Sequence, residues 1–170
     1  MIVTITPNPA LDVTYPVDRL EPGETHRVSG PVRRAGGKGV NVASVLADLG
    51  EASIVLAPVG GRSGEELAAD LERRGLRHAL IESPVATRTS VAVTDSRYGA
   101  TVFNESGEPQ PESVWESLLE TLRDQLTGGR VTAVTVSGST PPDTPVDCIA
   151  RIVTACQDAG CPVLLDISGE

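Results

Sequence analysis

The chain has 170 residues, a formal charge of −9 and only 2% aromatic side chains, a length that can bury the core of one domain. The acidic balance excludes a nucleic-acid backbone as partner, because that needs a basic face, and the few aromatics exclude base-stacking platforms. The opening Met1-Ile2-Val3-Thr4-Ile5 carries no basic leader and no long apolar run, so no signal peptide and no membrane span is expected.

Residues 2–6 read as a short buried strand, broken by Pro7 and Pro9. Asp12 follows in the Asn8-Pro9-Ala10-Leu11-Asp12 turn. A carboxylate just past a strand end suits ligand contact in an open α/β sheet, while taken alone it reads better as a turn or capping aspartate. Val13, Tyr15 and Val17 then alternate with polar residues, Glu21-Pro22-Gly23-Glu24 turns, and residues 25–29 read as a second strand. This is a hairpin-like excursion from the main layer.

Ala35-Gly36-Gly37-Lys38-Gly39-Val40-Asn41 runs into a segment where Val40, Ala43, Leu46, Ala47 and Leu49 recur at helical spacing, with Gly50 as its stop. The spacing predicts a helix over 37–48 with glycines at its N-terminus. There the first backbone N–H groups are unpaired and carry partial positive charge. Lys38 is the single lysine beside thirteen arginines. The cluster is neither a P-loop, since Val32 and Gly39 stand at its defining places, nor a dinucleotide fingerprint, since Val42 replaces the last glycine. A tight turn and a ligand-contacting backbone both fit the local pattern.

An apolar strand over 52–59 comes next. A helix follows Gly60-Gly61-Arg62, with Ser63 and Glu66 at capping-box spacing and Gly75 as its stop. Strand and helix alternating in this way predict a parallel sheet with crossover helices. Residues 88–95 and 100–104 flank Ser96-Arg97-Tyr98-Gly99 as a second hairpin-like pair, and the two excursions can pair as one small sheet. Pro111 opens a helix with Val114, Leu118, Leu122 and Leu126 in its stripe; Trp115 reads as a core anchor. A strand over 131–136 runs into Ser137-Gly138-Ser139-Thr140-Pro141-Pro142, where a plain loop and a ligand loop are equally consistent. A helix from Thr144-Pro145 and a strand over 162–167 complete the pattern. Cys148, Cys156 and Cys161 fit no metal spacing and read as small core residues of a reduced, cytoplasmic protein. His26 and His78 lie too far apart in the pattern to suggest a metal site.

Four of these stretches, in this order, resemble one family. Thr6-Pro7-Asn8-Pro9-Ala10-Leu11-Asp12 is similar to the opening of the 1-phosphofructokinase and tagatose-6-phosphate kinase group. Gly36-Gly37-Lys38-Gly39-Val40-Asn41 resembles the first signature of the wider PfkB, or ribokinase-like, carbohydrate kinases. Thr87-Arg88-Thr89 before a strand, and Ser137-Gly138-Ser139-Thr140-Pro141-Pro142, match the same group, so the resemblance spans residues 1–170. It implies an α/β fold: a ribokinase-like three-layer α/β/α sandwich with a small β lid inserted at about 12–34 and 86–106. It implies a homodimer through the lid. It also implies transfer of the ATP γ-phosphate, with Mg2+, to a phosphosugar, with conversion of fructose 1-phosphate to fructose 1,6-bisphosphate as the favoured reaction.

By the same resemblance, Asp12, the Gly37 backbone and Asn41 would hold sugar hydroxyls, with Gly36 a further substrate-binding position. Lys38, Arg88 and Ser137 would hold the phosphate already on the sugar, with Arg27 of the lid a further candidate for that pole. Asp166 would support the phosphate-proximal loops. Family members run to roughly 300 residues, about twice the commonest domain size. Their second half carries the nucleotide pocket and a Gly-Ala-Gly-Asp segment whose aspartate is the general base. That segment does not occur here. The expectation is therefore the N-terminal part of such a kinase, with no catalytic base in this chain, no metal site, and no activity alone. The alternative is a non-catalytic sugar-phosphate-binding or lid-dimerisation module.

Overall fold

The computed structural model describes residues 1–97 and 99–168; Tyr98 of the second predicted turn, and Gly169-Glu170, lie outside the described residues. The first strand, β1 (Ile2–Ile5), is the middle of a five-stranded parallel sheet. On one side it pairs with β4 (Ser53–Val59), which carries β5 (His78–Glu82) at the edge; on the other it pairs with β8 (Ala133–Ser139), which carries β9 (Val163–Ser168). Alternation along the strands divides two cores. In β4, Ile54 and Leu56 join one, packed with Val114, Trp115, Leu118 and Leu122 of α3 (Glu112–Leu126) and Ile152 and Cys156 of α4 (Cys148–Asp158). Val55 and Ala57 join the other, with Val40 and Ala43 of α1 (Lys38–Asp48) and Leu67 and Leu71 of α2 (Gly61–Arg73). Helices thus cover both faces. Each fully buried large side chain contributes about 1.5–3 kcal/mol of transfer free energy.

The second sheet has four strands in the order β3-β2-β6-β7. It joins β2 (Ala10–Pro16) and β3 (Val32–Gly36) to β6 (Arg88–Asp95) and β7 (Gly99–Asn104), so both excursions meet, through a parallel β2–β6 pair.

Several expectations shift. Residues 25–29 form no strand; Val32–Gly36 is the partner of β2. The 25–29 segment offers one apolar side chain, Val28, and His26 instead bonds back to the Glu21 turn. Asp12 lies within β2, not in a turn. The Ser63–Glu66 box does not form: Gly60 caps α2, Ser63 Oγ donates to Thr87 O, and Glu66 pairs with Arg33 and Arg62. Thr87 occupies that helix end, accepting from Gly60 N and donating its own N–H to Gly60 O. Strand β5 was not expected, since His78, Ala79 and Leu80 are all half-buried and the segment shows little alternation. Helix α4 begins at Cys148, later than Thr144-Pro145.

Candidate functional site

A cleft of about 940 Å³ opens where the C-terminal ends of β1 and β8 meet the lid sheet. The turn 6–9 leads from β1 straight into β2, so the central strand of one sheet feeds the central pair of the other. Asn8 fastens this junction. It is buried, and its amide donates to Ser106 O at 2.9 Å and stands 3.4 Å from Thr140 O, tying the turn to the lid end and the β8 loop.

Strand β3 ends at Gly36, and α1 starts at once. Gly37 is its N-cap, at φ +106°, in the region that favours glycine, and no side chain caps the helix. The first intrahelical bond to Gly37 O comes from Asn41 N. The earlier N–H groups have no partner within the helix, and Gly37, Lys38 and Asn41 at this helix start line the cleft. Gly39 is needed for the seat beneath: a Cβ there would lie 2.8 Å from Ile5 O and against Thr6 Oγ1.

Asp12 of β2 and Arg88 of β6 stand diagonally on one face of the lid sheet, and both line the cleft. Burial raises the Asp12 carboxyl above its ordinary range, opposed by the Arg88 charge and a hydrogen bond from Ser90. Burial lowers Arg88, opposed by Asp12 and Glu105; a guanidinium stays charged regardless. Arg88 donates from Nε and Nη2 to Asn8 O at 3.2 and 3.1 Å, and from Nη1 to Glu105 O at 2.9 Å. Three of five donors are spent on backbone, which fixes the fork and leaves two for a ligand. Lys38 Nζ reaches across the helix start to Asp166 at 3.3 Å, an exposed pair. An exposed pair contributes little stability, and an anion in the cleft competes with it directly.

Of the residues singled out in the sequence, Asp12, Gly37, Lys38, Asn41 and Arg88 come together around the cleft. Gly36 lies behind Asp12, with the Asp12 carboxylate filling the place a Cβ would take. Ser137 is buried inside β8 and does not line the cleft, whose wall there is Gly138 and Ser139. Arg27 is exposed in the connection before β3 and does not line the cleft either. Ser90, Asn104 and Glu105 also line it and were not singled out. For Ser90 the signal was the alternation of Val91 and Val93 with Ala92 and Thr94, which marks a wet face but not what lies over it; Asn104 and Glu105, at and just past the end of β7, gave no local signal.

A parallel α/β sheet capped by a second β sheet, with a helix N-terminus and the cations Lys38 and Arg88 at the join, defines the class: an α/β protein with a lidded polar cleft. The model of the pfkB family carbohydrate kinases matches residues 7–170. The chain belongs to that family. Phosphofructokinase-2 of Escherichia coli, solved with fructose-6-phosphate, is 28% identical with a TM-score of 0.89, over 99% of this chain and 55% of that one. The tetrameric inhibited form of the same protein is 29% identical, also at 0.89, with the same coverage. A possible 1-phosphofructokinase of Thermotoga maritima is 25% identical with a TM-score of 0.90, over 98% of this chain and 53% of that one. The fold is thus the ribokinase-like α/β fold with a β lid, and the chain spans little more than half the length of these structural relatives.

Proposed function

We propose that this chain supplies the acceptor site of a kinase that phosphorylates a hexose phosphate, with fructose 1-phosphate, giving fructose 1,6-bisphosphate, as the favoured acceptor. The observation that carries this reading is the two-poled cleft. Asp12 and Asn41 offer a carboxylate and an amide for sugar hydroxyls; Lys38 and the two spare Arg88 donors offer a point charge and a fork for a phosphate. The open α1 N-terminus favours the anion further. In this assignment Ser137 has a weaker claim than Ser139, and Arg27 reaches the phosphate pole only through a lid movement or from a second copy.

The described residues contain no group of three or more His, Cys, Asp or Glu able to hold a metal, and Asp166, beside the cleft, is paired with Lys38. ATP and Mg2+ are proposed as the phosphoryl donor and its ion on the family's account, and no step is derived through them. This chain's own residues bind and orient: Asp12 and Asn41 align the acceptor hydroxyls, while Arg88 and Lys38 anchor the far end of the sugar. Positioning of this kind is most of what phosphoryl transfer asks of a protein.

We also propose a homodimer through the lid. Val32, Thr14, Ala92 and Val102 stand opposite one another across all four lid strands, and Val32 and Val102 are 47% and 49% exposed. The test of the main reading is turnover by a protein of the relatives' length that carries this chain, on fructose 1-phosphate, fructose 6-phosphate, tagatose 6-phosphate and free fructose. Phosphosugar-dependent ADP release is expected; equal turnover of free fructose overturns the phosphate pole.

A further inference from the structure

Strands β2, β6 and β7 set three polar side chains in one row. Asp12 is the cross-strand partner of Ser90, and Ser90 that of Asn104. All three line the cleft. Ser90 Oγ donates to Asn104 Oδ1 at 2.7 Å and also lies within hydrogen-bonding reach of the Asp12 carboxylate. The ladder itself does not require polar side chains, and strands ordinarily favour β-branched and aromatic ones. The next row on the same face, Val32, Thr14, Ala92 and Val102, is mostly apolar and does not line this cleft. The lid face therefore turns polar where it borders the cleft and apolar beyond it, a boundary that folding alone does not ask for.

We propose that Ser90 and Asn104 are specificity residues of the acceptor site, forming with Asp12 a row that reads successive hydroxyls of the bound sugar. This rests on the phosphosugar-acceptor reading above. Adjacent strands lie about 4.8 Å apart, so the row spans about 10 Å, enough to lie along the hydroxyl-bearing carbons of a hexose. Ser90 has one proton and two acceptors in reach, so one acceptor is always left for a ligand hydroxyl. The Asn104 amide adds two donors. Carboxylate, hydroxyl and amide in a fixed order reward one arrangement of hydroxyls and leave groups unpaired against its epimer.

The test uses fructose 6-phosphate and tagatose 6-phosphate, which differ only in configuration at C4. Their affinities are measured by calorimetry on the full-length protein and on its Ser90→Ala, Ser90→Thr and Asn104→Ala variants. Ser90→Ala and Asn104→Ala are each expected to change the affinity ratio between the epimers about 3- to 10-fold, and Ser90→Thr to preserve it. A purely structural role weakens both epimers alike and leaves the ratio unmoved; that result overturns the inference while the acceptor reading stands. Failure of the unsubstituted protein to bind either phosphosugar overturns the acceptor reading, and this inference with it.

Discussion

Asp12 sits under two opposed demands. The proposed sugar contact needs a carboxylate, while burial disfavours the charged form and raises its pKa. The folded state therefore holds the proton more tightly than the unfolded chain does. The stability linked to the neutral form is fully present below the ordinary carboxylate range and is lost as pH rises through the folded value. Asp12→Asn should then unfold at a higher temperature than the unsubstituted protein near pH 7, with the gap closing by about pH 3. Calorimetric scans at the two pH values check this, and an equal or lower midpoint near neutrality contradicts it. The same site makes Asp12→Ala weaken sugar affinity roughly 10- to 150-fold, the range for a hydrogen bond to a charged group. The cysteines behave in the opposite sense to a reactive site. Burial pushes the Cys148 and Cys156 thiols up to about 11 and raises Cys161 as well. Native protein near pH 7.5 should resist iodoacetamide at all three, while urea-unfolded protein takes three labels by intact mass.

At the scale of elements, α1 and its glycine start carry the site. Gly39→Ala forces a Cβ against Ile5 O, so α1 must lift from the sheet, at a cost of about 1–3 kcal/mol. Urea denaturation should show that loss, and sugar affinity should fall with it, because Lys38 and Asn41 ride on the same helix. This helix was legible in the sequence: its apolar spacing and its glycines mark its span to within a residue, and the helix runs over Lys38–Asp48. The lid pair over Arg88–Asp95 and Gly99–Asn104 was equally legible, because alternation and a glycine turn are local signals. What was not legible depended on partners distant in the chain. Val32–Gly36 carries two arginines and looks unlike a strand until β2 is beside it. Ser63 spends its hydroxyl on Thr87, which lies 24 residues away, and not on its own helix. Ser137 and Ser139 are indistinguishable as letters and share one side of β8; only the fold shows that Ser137 is buried while Ser139, at the end of the strand, lines the cleft.

For the molecule as a whole, the exposed surfaces say where it meets other surfaces. The apolar lid row is the proposed dimer contact, and Val102→Glu should shift sedimentation at micromolar concentration toward monomer; a dimer unchanged by that variant rules the lid row out. No described helix is long and apolar enough to cross a membrane. The parallel β2–β6 pair has a consequence in time. It joins Ala10–Pro16 to Arg88–Asp95, and between them in the chain lie β3, α1, β4, α2 and β5. No local turn can nucleate such a pair, so its closure waits until the intervening elements have packed. The cleft, which needs this pair and β8 beside β1, is therefore expected to form late in folding. Substitutions in the lid should speed unfolding and leave the folding rate nearly untouched, and a chain halted before residue 88 would hold a glycine loop and a half-built core with nothing yet able to close over a sugar.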